Sequence, residues 1–186
     1  MLASASPRRA DLLREAGIAF RVAPAHIDES EAIGESPESY VERLAREKAE
    51  AVWRDRPASF VLGADTTVVV DETILAKPAD AADAARMLRL LSGRSHRVLT
   101  GICLLGPSGF FRASVVSTAV TFERLSEADI VWYVGTGEPL DKAGAYAVQG
   151  GASRFVARIE GSFSNVVGLP MEVLAPWCRE AGIQVS

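Results

Sequence analysis

Apolar positions recur along the chain with two different periods, and the two kinds of segment alternate. Val41, Ala45, Ala49 and Val52 form one stripe at helical spacing, and Ser36-Pro37 ahead of them supplies an N-cap with proline at the first helical position. Ala84, Met87, Leu88 and Leu91 follow the same i, i+3, i+4, i+7 rule in a helix over Asp80 to Leu91, with Gly93 placed to stop it. Ser126-Glu127-Ala128-Asp129 has the form of a capping box. Further helices are expected from Pro7 through Asp11-Leu12-Leu13, and from near Pro170 towards Arg179. Between these lie strand-like runs: Phe20 to Ala23, Phe60 to Ala64, Thr67 to Val70, Val98 to Leu105, Phe111 to Phe122 and Phe155 to Ile159. Asp71-Glu72 marks a hairpin into Thr73–Leu75, and Gly106-Pro107-Ser108-Gly109 a turn between two long strands. Long strands joined by short turns are antiparallel. The pattern therefore predicts an α/β fold with a mixed, strongly twisted sheet and flanking helices.

The 186 residues suit one domain, or two small lobes sharing a core, and no linker or repeat divides them. Composition is that of a globular protein, 48% hydrophobic and 24% charged. A net charge of −4 argues against nucleic acid polymers or anionic membranes as partners. With a polyanionic ligand, local basic residues and a metal would have to overcome that field. Cys103 and Cys178 are the only cysteines, which excludes a disulfide scaffold and a zinc-type spacing. There is no apolar stretch of membrane-spanning length and no signal-peptide pattern, so a cytoplasmic location is expected.

Four constellations carry candidate chemistry. In Ser4-Ala5-Ser6-Pro7-Arg8-Arg9 a short strand runs into a helix start, where unpaired N–H groups, serine hydroxyls and guanidinium forks suit phosphate. The same residues also describe a capped helix with two solvated arginines. In Gly63-Ala64-Asp65-Thr66-Thr67 an acidic residue closes an apolar run. The small residues would let a ligand approach, and Asp65 could bind Mg²⁺ or act as general base, or simply form an Asx-turn. Lys48 falls near the apolar stripe of its helix, as a snorkelling side chain or one aimed into a cleft, while Lys77 and Lys142 lie beside turn signals. Asp28-Glu29-Ser30-Glu31 is either a solvated loop or part of a metal site completed by Asp65. No Walker loop, nucleophile elbow or dinucleotide fingerprint is present. His26, His96, Trp53, Trp132 and Trp177 read as isolated or packing residues.

In order along the chain, Ser4-Ala5-Ser6-Pro7-Arg8-Arg9, Arg46-Glu47-Lys48-Ala49, Gly63-Ala64-Asp65-Thr66, Lys77-Pro78, Leu91-Ser92-Gly93-Arg94-Ser95-His96, Glu138 through Gly150 and Val166-Val167-Gly168-Leu169-Pro170 resemble the motifs of Maf proteins. The resemblance covers essentially the whole chain, as a single domain over residues 1–186. It implies a nucleoside triphosphate pyrophosphatase with an elongated fold like that of the inosine triphosphatases, two lobes around a central cleft. It also implies cleavage between the α and β phosphates, a divalent cation (Mg²⁺ or Mn²⁺) and a homodimer. The family was first linked to septum formation in cell division. Arg8, Thr66 and Gln149 match the branch that acts on dTTP and UTP, including modified pyrimidine nucleotides. Other readings are a preference for 7-methyl-GTP, or a division regulator that binds nucleotide without catalysis. The resemblance makes Asp65 the proton acceptor and Arg8, Thr66 and Gln149 the residues of substrate choice. It assigns Ser6, Arg9, Lys48, Lys77 and Lys142 to the phosphates, and Glu29 to the metal beside Asp65. Three features depart from the usual pattern: the chain starts at Met1 directly on the Leu-Ala-Ser segment, Ala76 precedes Lys77-Pro78, and Ala147 follows Tyr146. The two alanines, each standing where glycine is common, are small changes expected to have little functional effect.

Overall fold

A computed structural model describes all residues, 1–186. Its elements in chain order are α1 (Pro7–Glu15), α2 (Pro37–Trp53), β1 (Val61–Val70), β2 (Thr73–Leu75), α3 (Ala81–Leu91), β3 (Ser95–Leu105), β4 (Phe111–Phe122), α4 (Glu127–Gly135), β5 (Val156–Glu160), α5 (Phe163–Val167) and α6 (Met171–Glu180). The fold is mixed α/β, with a five-stranded sheet in the order β2-β1-β3-β4-β5. β1 pairs antiparallel with β2, and β4 with β5. Leu2 makes parallel bridges to both Val22 and Leu62, so the pairing is of both kinds. No helix is long and apolar enough to cross a membrane. Both cysteines are buried free thiols.

Most boundaries follow local chemistry. Ser36 caps α2 by accepting from Ser39 N–H, Asp80 caps α3 by accepting from Asp83 N–H, and Ser126 and Asp129 close the expected capping box on α4. The β1–β2 hairpin turns through positive φ at Asp71 (48°) and Glu72 (61°), as a two-residue hairpin requires. Two expectations fail. Phe20 to Ala23 is no strand, since only Val22 bridges, to Leu2. β1 does not stop at Asp65 but runs on through it to Val70, ten residues in all. A buried strand tolerates a carboxylate where another element supplies its partner, and here α2 does so.

The chain divides into two compact units. Unit 1 comprises Met1–Asp65, Thr100–Val116 and Gly168–Ser186; unit 2 comprises Thr66–Leu99 and Ser117–Val167. In unit 1, Leu2, Leu13, Leu62, Ile102, Leu169 and Leu174 belong to one apolar cluster, and Ala3, Ala45, Ala49, Val61 and Cys103 to a second. In unit 2, Leu88 and Leu91 of α3 and Tyr133 of α4 share a cluster with Val68, Leu75, Phe122 and Phe155.

Two glycines in unit 1 decide how closely α2 lies on the sheet. A β-carbon at Gly63 would stand 2.0 Å from Ala45 O and 2.7 Å from Ala49 N. One at Gly101 would stand 2.2 Å from Val41 O. The helix backbone therefore rests on strand backbone, a contact only glycine permits. The space beside Gly63 is filled by α2, not held open for a ligand.

Candidate functional site

The close seat of α2 determines what Lys48 can reach. Side chains at positions 63 and 65 of a strand point to the same face, so Asp65 faces the helix that covers Gly63. Lys48 lies on the buried side of α2 and is itself 8% exposed, as is Asp65. Its Nζ donates to Asp65 Oδ1 at 2.7 Å and lies 2.8 Å from Glu29 Oε1. Lys48 is thus neither solvated nor snorkelling; it is an ammonium held between two carboxylates. The Glu29 side chain is half-exposed, at 53%.

Arg9 belongs to the same electrostatic neighbourhood. It is buried at the start of α1, with Nε donating to Gly168 O (2.8 Å) and Nη1 to Ser4 Oγ (3.0 Å). Burial lowers its pKa, and the Asp65 and Glu29 charges oppose that shift. Burial raises the Asp65 carboxyl above the ordinary carboxylate range, although Lys48 and Arg9 pull it down. Desolvation prevails because the buried carboxylate has lost more hydration than Lys48 and Arg9 make good.

The acidic loop is fixed, not merely solvated. Tyr40 donates from its hydroxyl to Glu29 O (2.9 Å), and Arg43 Nη2 to Ser30 O (3.0 Å). Arg43 also holds Glu35 through two bonds of 2.7 Å, a bidentate pairing that resists rotation. Tyr40, Arg43 and Glu35 were not singled out from the sequence. Tyr40 lies eight residues ahead of Lys48 on α2, a spacing that keeps both on the buried side of the helix, whereas the position of Arg43 carries no such signal.

At the start of α1, Ser6 occupies the cap position without making a side-chain cap bond, and its N–H is taken by Ser4 Oγ at 3.2 Å. Arg8 is half-buried and makes no hydrogen bond or ion pair.

The other expected residues lie in unit 2. Thr66 is half-buried in β1. Lys77 is exposed, and Gly144 N–H donates to the neighbouring Ala76 O (3.2 Å), joining the segment that bears Lys77 to the one that bears Lys142. Lys142 Nζ donates to Glu138 O (3.0 Å) and pairs with Asp141 (2.6 Å). Gln149 is exposed. His96 is a core residue against Tyr146, not a ligand.

The donor set limits what metal chemistry is feasible. No group of three or more His, Cys, Asp or Glu converges anywhere, so an all-protein cage is absent. Two carboxylates, Asp65 and Glu29, both meet the Lys48 ammonium, and a hard cation that takes its other ligands from phosphate and water needs no more than two such oxygens. Their carboxylate oxygens are donors of the kind Mg²⁺ or Mn²⁺ takes.

Comparison with known proteins adds to this geometry. A dTTP/UTP pyrophosphatase from Koribacter versatilis (strain Ellin345) is 53% identical over 183 residues, 98% of this chain and 94% of the relative. One from Anaeromyxobacter dehalogenans (strain 2CP-C) is 54% identical, covering 98% and 93%. One from Myxococcus xanthus (strain DK1622) is 51% identical, covering 98% and 92%. Among solved structures, a nucleoside-triphosphatase / dITP/XTP pyrophosphatase from Mycobacterium abscessus is a distant likeness, 19% identical with a TM-score of 0.40 over 67% of this chain and 72% of that one. A sequence model of the Maf-like protein family matches residues 1–181. The chain is a member of the Maf family.

Proposed function

We propose that this chain hydrolyses dTTP and UTP to the nucleoside monophosphate and pyrophosphate, with Asp65 accepting the proton of the attacking water. The observation that carries the reading is identity of 51–54% across almost the full length of relatives that bear that activity in their names. The Lys48–Asp65–Glu29 cluster supports it by offering a buried, oriented carboxylate suited to general-base work.

The roles follow from burial and partners. A carboxylate withdrawn from water holds a proton more firmly than an exposed one, which favours Asp65 as acceptor. Lys48 fixes the orientation of Asp65 through Oδ1. Glu29 and Asp65 would hold the divalent cation, which when bound neutralises phosphate charge. Arg8 and Lys77, which have no protein partner, serve the phosphate oxygens, together with the Ser6 hydroxyl and Lys142. Arg9 is engaged within the fold and contributes positive field near Asp65. Arg8, Thr66 and Gln149 set the choice of substrate. The Gln149 amide offers a donor and an acceptor, matching adjacent carbonyl and N–H groups on the pairing edge of uracil or thymine. The protein acts as a homodimer in the cytoplasm.

Phosphorus NMR on purified protein with dTTP and Mg²⁺ or Mn²⁺ tests the reaction. Pyrophosphate and monophosphate are the expected products. Orthophosphate with nucleoside diphosphate would overturn the assignment, and full turnover in excess chelator would overturn the metal requirement.

A further inference from the structure

Gln149 is carried on a turn that is held from both sides. Gly150 N–H donates to Ala147 O (3.1 Å), closing the turn around Val148 and Gln149. On the leading flank, the Tyr133 phenol oxygen accepts from Ala147 N–H (3.1 Å). On the trailing flank, Glu138 Oε2 accepts from Gly151 N–H (3.0 Å). The Tyr133 hydroxyl in turn donates to Glu138 Oε1 (2.8 Å). An unbroken line of hydrogen bonds thus runs from Ala147 through Tyr133 and Glu138 to Gly151, beneath the turn.

The two anchors are themselves fixed. Tyr133 lies on α4, is 0% exposed, and meets the Phe155 ring edge-on with centroids 5.5 Å apart. The Glu138 carbonyl accepts from Lys142 Nζ (3.0 Å). Gly150 completes the fit, because a β-carbon there would stand 2.0 Å from Glu138 Oε1. The carboxylate occupies the volume that any other residue's side chain would need.

We propose that Tyr133 and Glu138 are positioning residues for base selection, holding the Gln149 amide at the angle a pyrimidine edge requires. They act through the turn and do not touch the base. An exposed turn without such anchors would have to be ordered on each binding event, whereas here its conformation is fixed on folding. The proposal rests on the reading of Gln149 as a base-selecting residue.

The test compares kcat/KM for dTTP with kcat/KM for abasic deoxyribose triphosphate, which has the phosphates and sugar but no base. Tyr133→Phe keeps the buried ring and removes both hydroxyl bonds. Its dTTP-to-abasic ratio should fall about tenfold, the scale of a lost hydrogen bond at a recognition edge. Glu138→Gln keeps one acceptor and should lower the ratio by less. Thermal melting verifies that each variant is folded, and Gln149→Ala serves as reference. If Gln149→Ala collapses the ratio while both folded variants leave it within about twofold, which is below the cost of one hydrogen bond, the positioning role is overturned and the reading of Gln149 stands. If the variants depress both substrates equally, their role is general structure and the proposal is also overturned. If Gln149→Ala leaves the ratio unchanged, Gln149 does not read the base, and both fall together.

Discussion

Lys48 with Asp65 in unit 1 and His96 with Tyr146 in unit 2 are both buried polar pairs joined by a short hydrogen bond, of 2.7 and 2.8 Å respectively. They resolve the cost of burial in opposite ways. Asp65 keeps cations around it, Lys48 in contact and Arg9 nearby, against a desolvation that pushes its pKa up. His96 has no countercharge, and its Nδ1 is buried without a partner. Phe122 and Tyr146 meet its ring edge-on at 5.0 and 5.4 Å, and burial pushes its pKa down to about 4. The first pair meets burial with opposite charge close by. The second gives up charge so that the core of unit 2 stays neutral.

The sharpest way to break the contrast is Asp65→Asn. It is nearly isosteric and leaves Lys48 its contact with Glu29. Turnover of dTTP should fall about 10²- to 10⁴-fold, with a melting temperature close to that of the parent. A folded variant with near-parental kcat would make the carboxylate structural.

Lys48→Met tests the cationic half. Removing one member of a buried pair typically costs about 3–5 kcal/mol, and Arg9 should hold the loss to the lower end. Urea unfolding measures this. Without Lys48 the Asp65 carboxyl should rise further, so the acid limb of the pH–rate profile should move to higher pH. An unmoved limb would mean that Lys48 does not tune Asp65.

The histidine predicts a pH dependence of stability. Its folded pKa lies below its unfolded value, so between pH 6.5 and about 4 the unfolded chain binds a proton that the folded chain refuses. Stability should therefore fall as pH drops through that window, by about 3 kcal/mol at about 1.4 kcal/mol per unit. Asp65 has the opposite sign: its raised pKa makes stability decline as pH rises through the folded value. Denaturant unfolding at pH 7 and pH 4.5 should show a smaller difference for His96→Phe than for the parent. Equal differences would show that His96 does not carry the effect.

Ser36→Ala should have the smallest effect. Loss of the α2 cap should cost about 1 kcal/mol, with kcat nearly unchanged because Lys48 sits three turns further along. A much larger loss of activity than of stability would show that the helix start is coupled to the site.

How far each pair could be read in advance differed for a physical reason. Helix starts were legible at Ser36, Asp80 and Ser126, because a cap bonds to a residue only three positions away. Asp65 and Lys48 were legible as candidate chemistry, yet Asp65 was placed at a strand end. Its partner lies 17 residues away on another element, and a carboxylate without a visible partner reads as exposed. His96 and Tyr146 are 50 residues apart, so His96 read as isolated. Glu138 was legible only as the start of a motif and Tyr133 not at all, since their contacts with the backbone N–H groups of Ala147 and Gly151 leave no trace in side-chain pattern. The Phe20 to Ala23 run had the composition of a strand but met only Leu2 as a partner.

The seat of α2 on Gly63 bears on how freely this protein can evolve. A packing defect between two side chains can be repaired by shrinking one of them. At Gly63 no smaller residue exists, and the opposing atoms are the Ala45 carbonyl and the Ala49 amide, which no substitution can trim. The remaining escape is to lift the helix, and the helix carries Lys48. A change that elsewhere would be a fault of the scaffold alone becomes here a fault of the chemistry as well. Any side chain at position 63 would therefore act on the lysine–aspartate pair as well as on the scaffold.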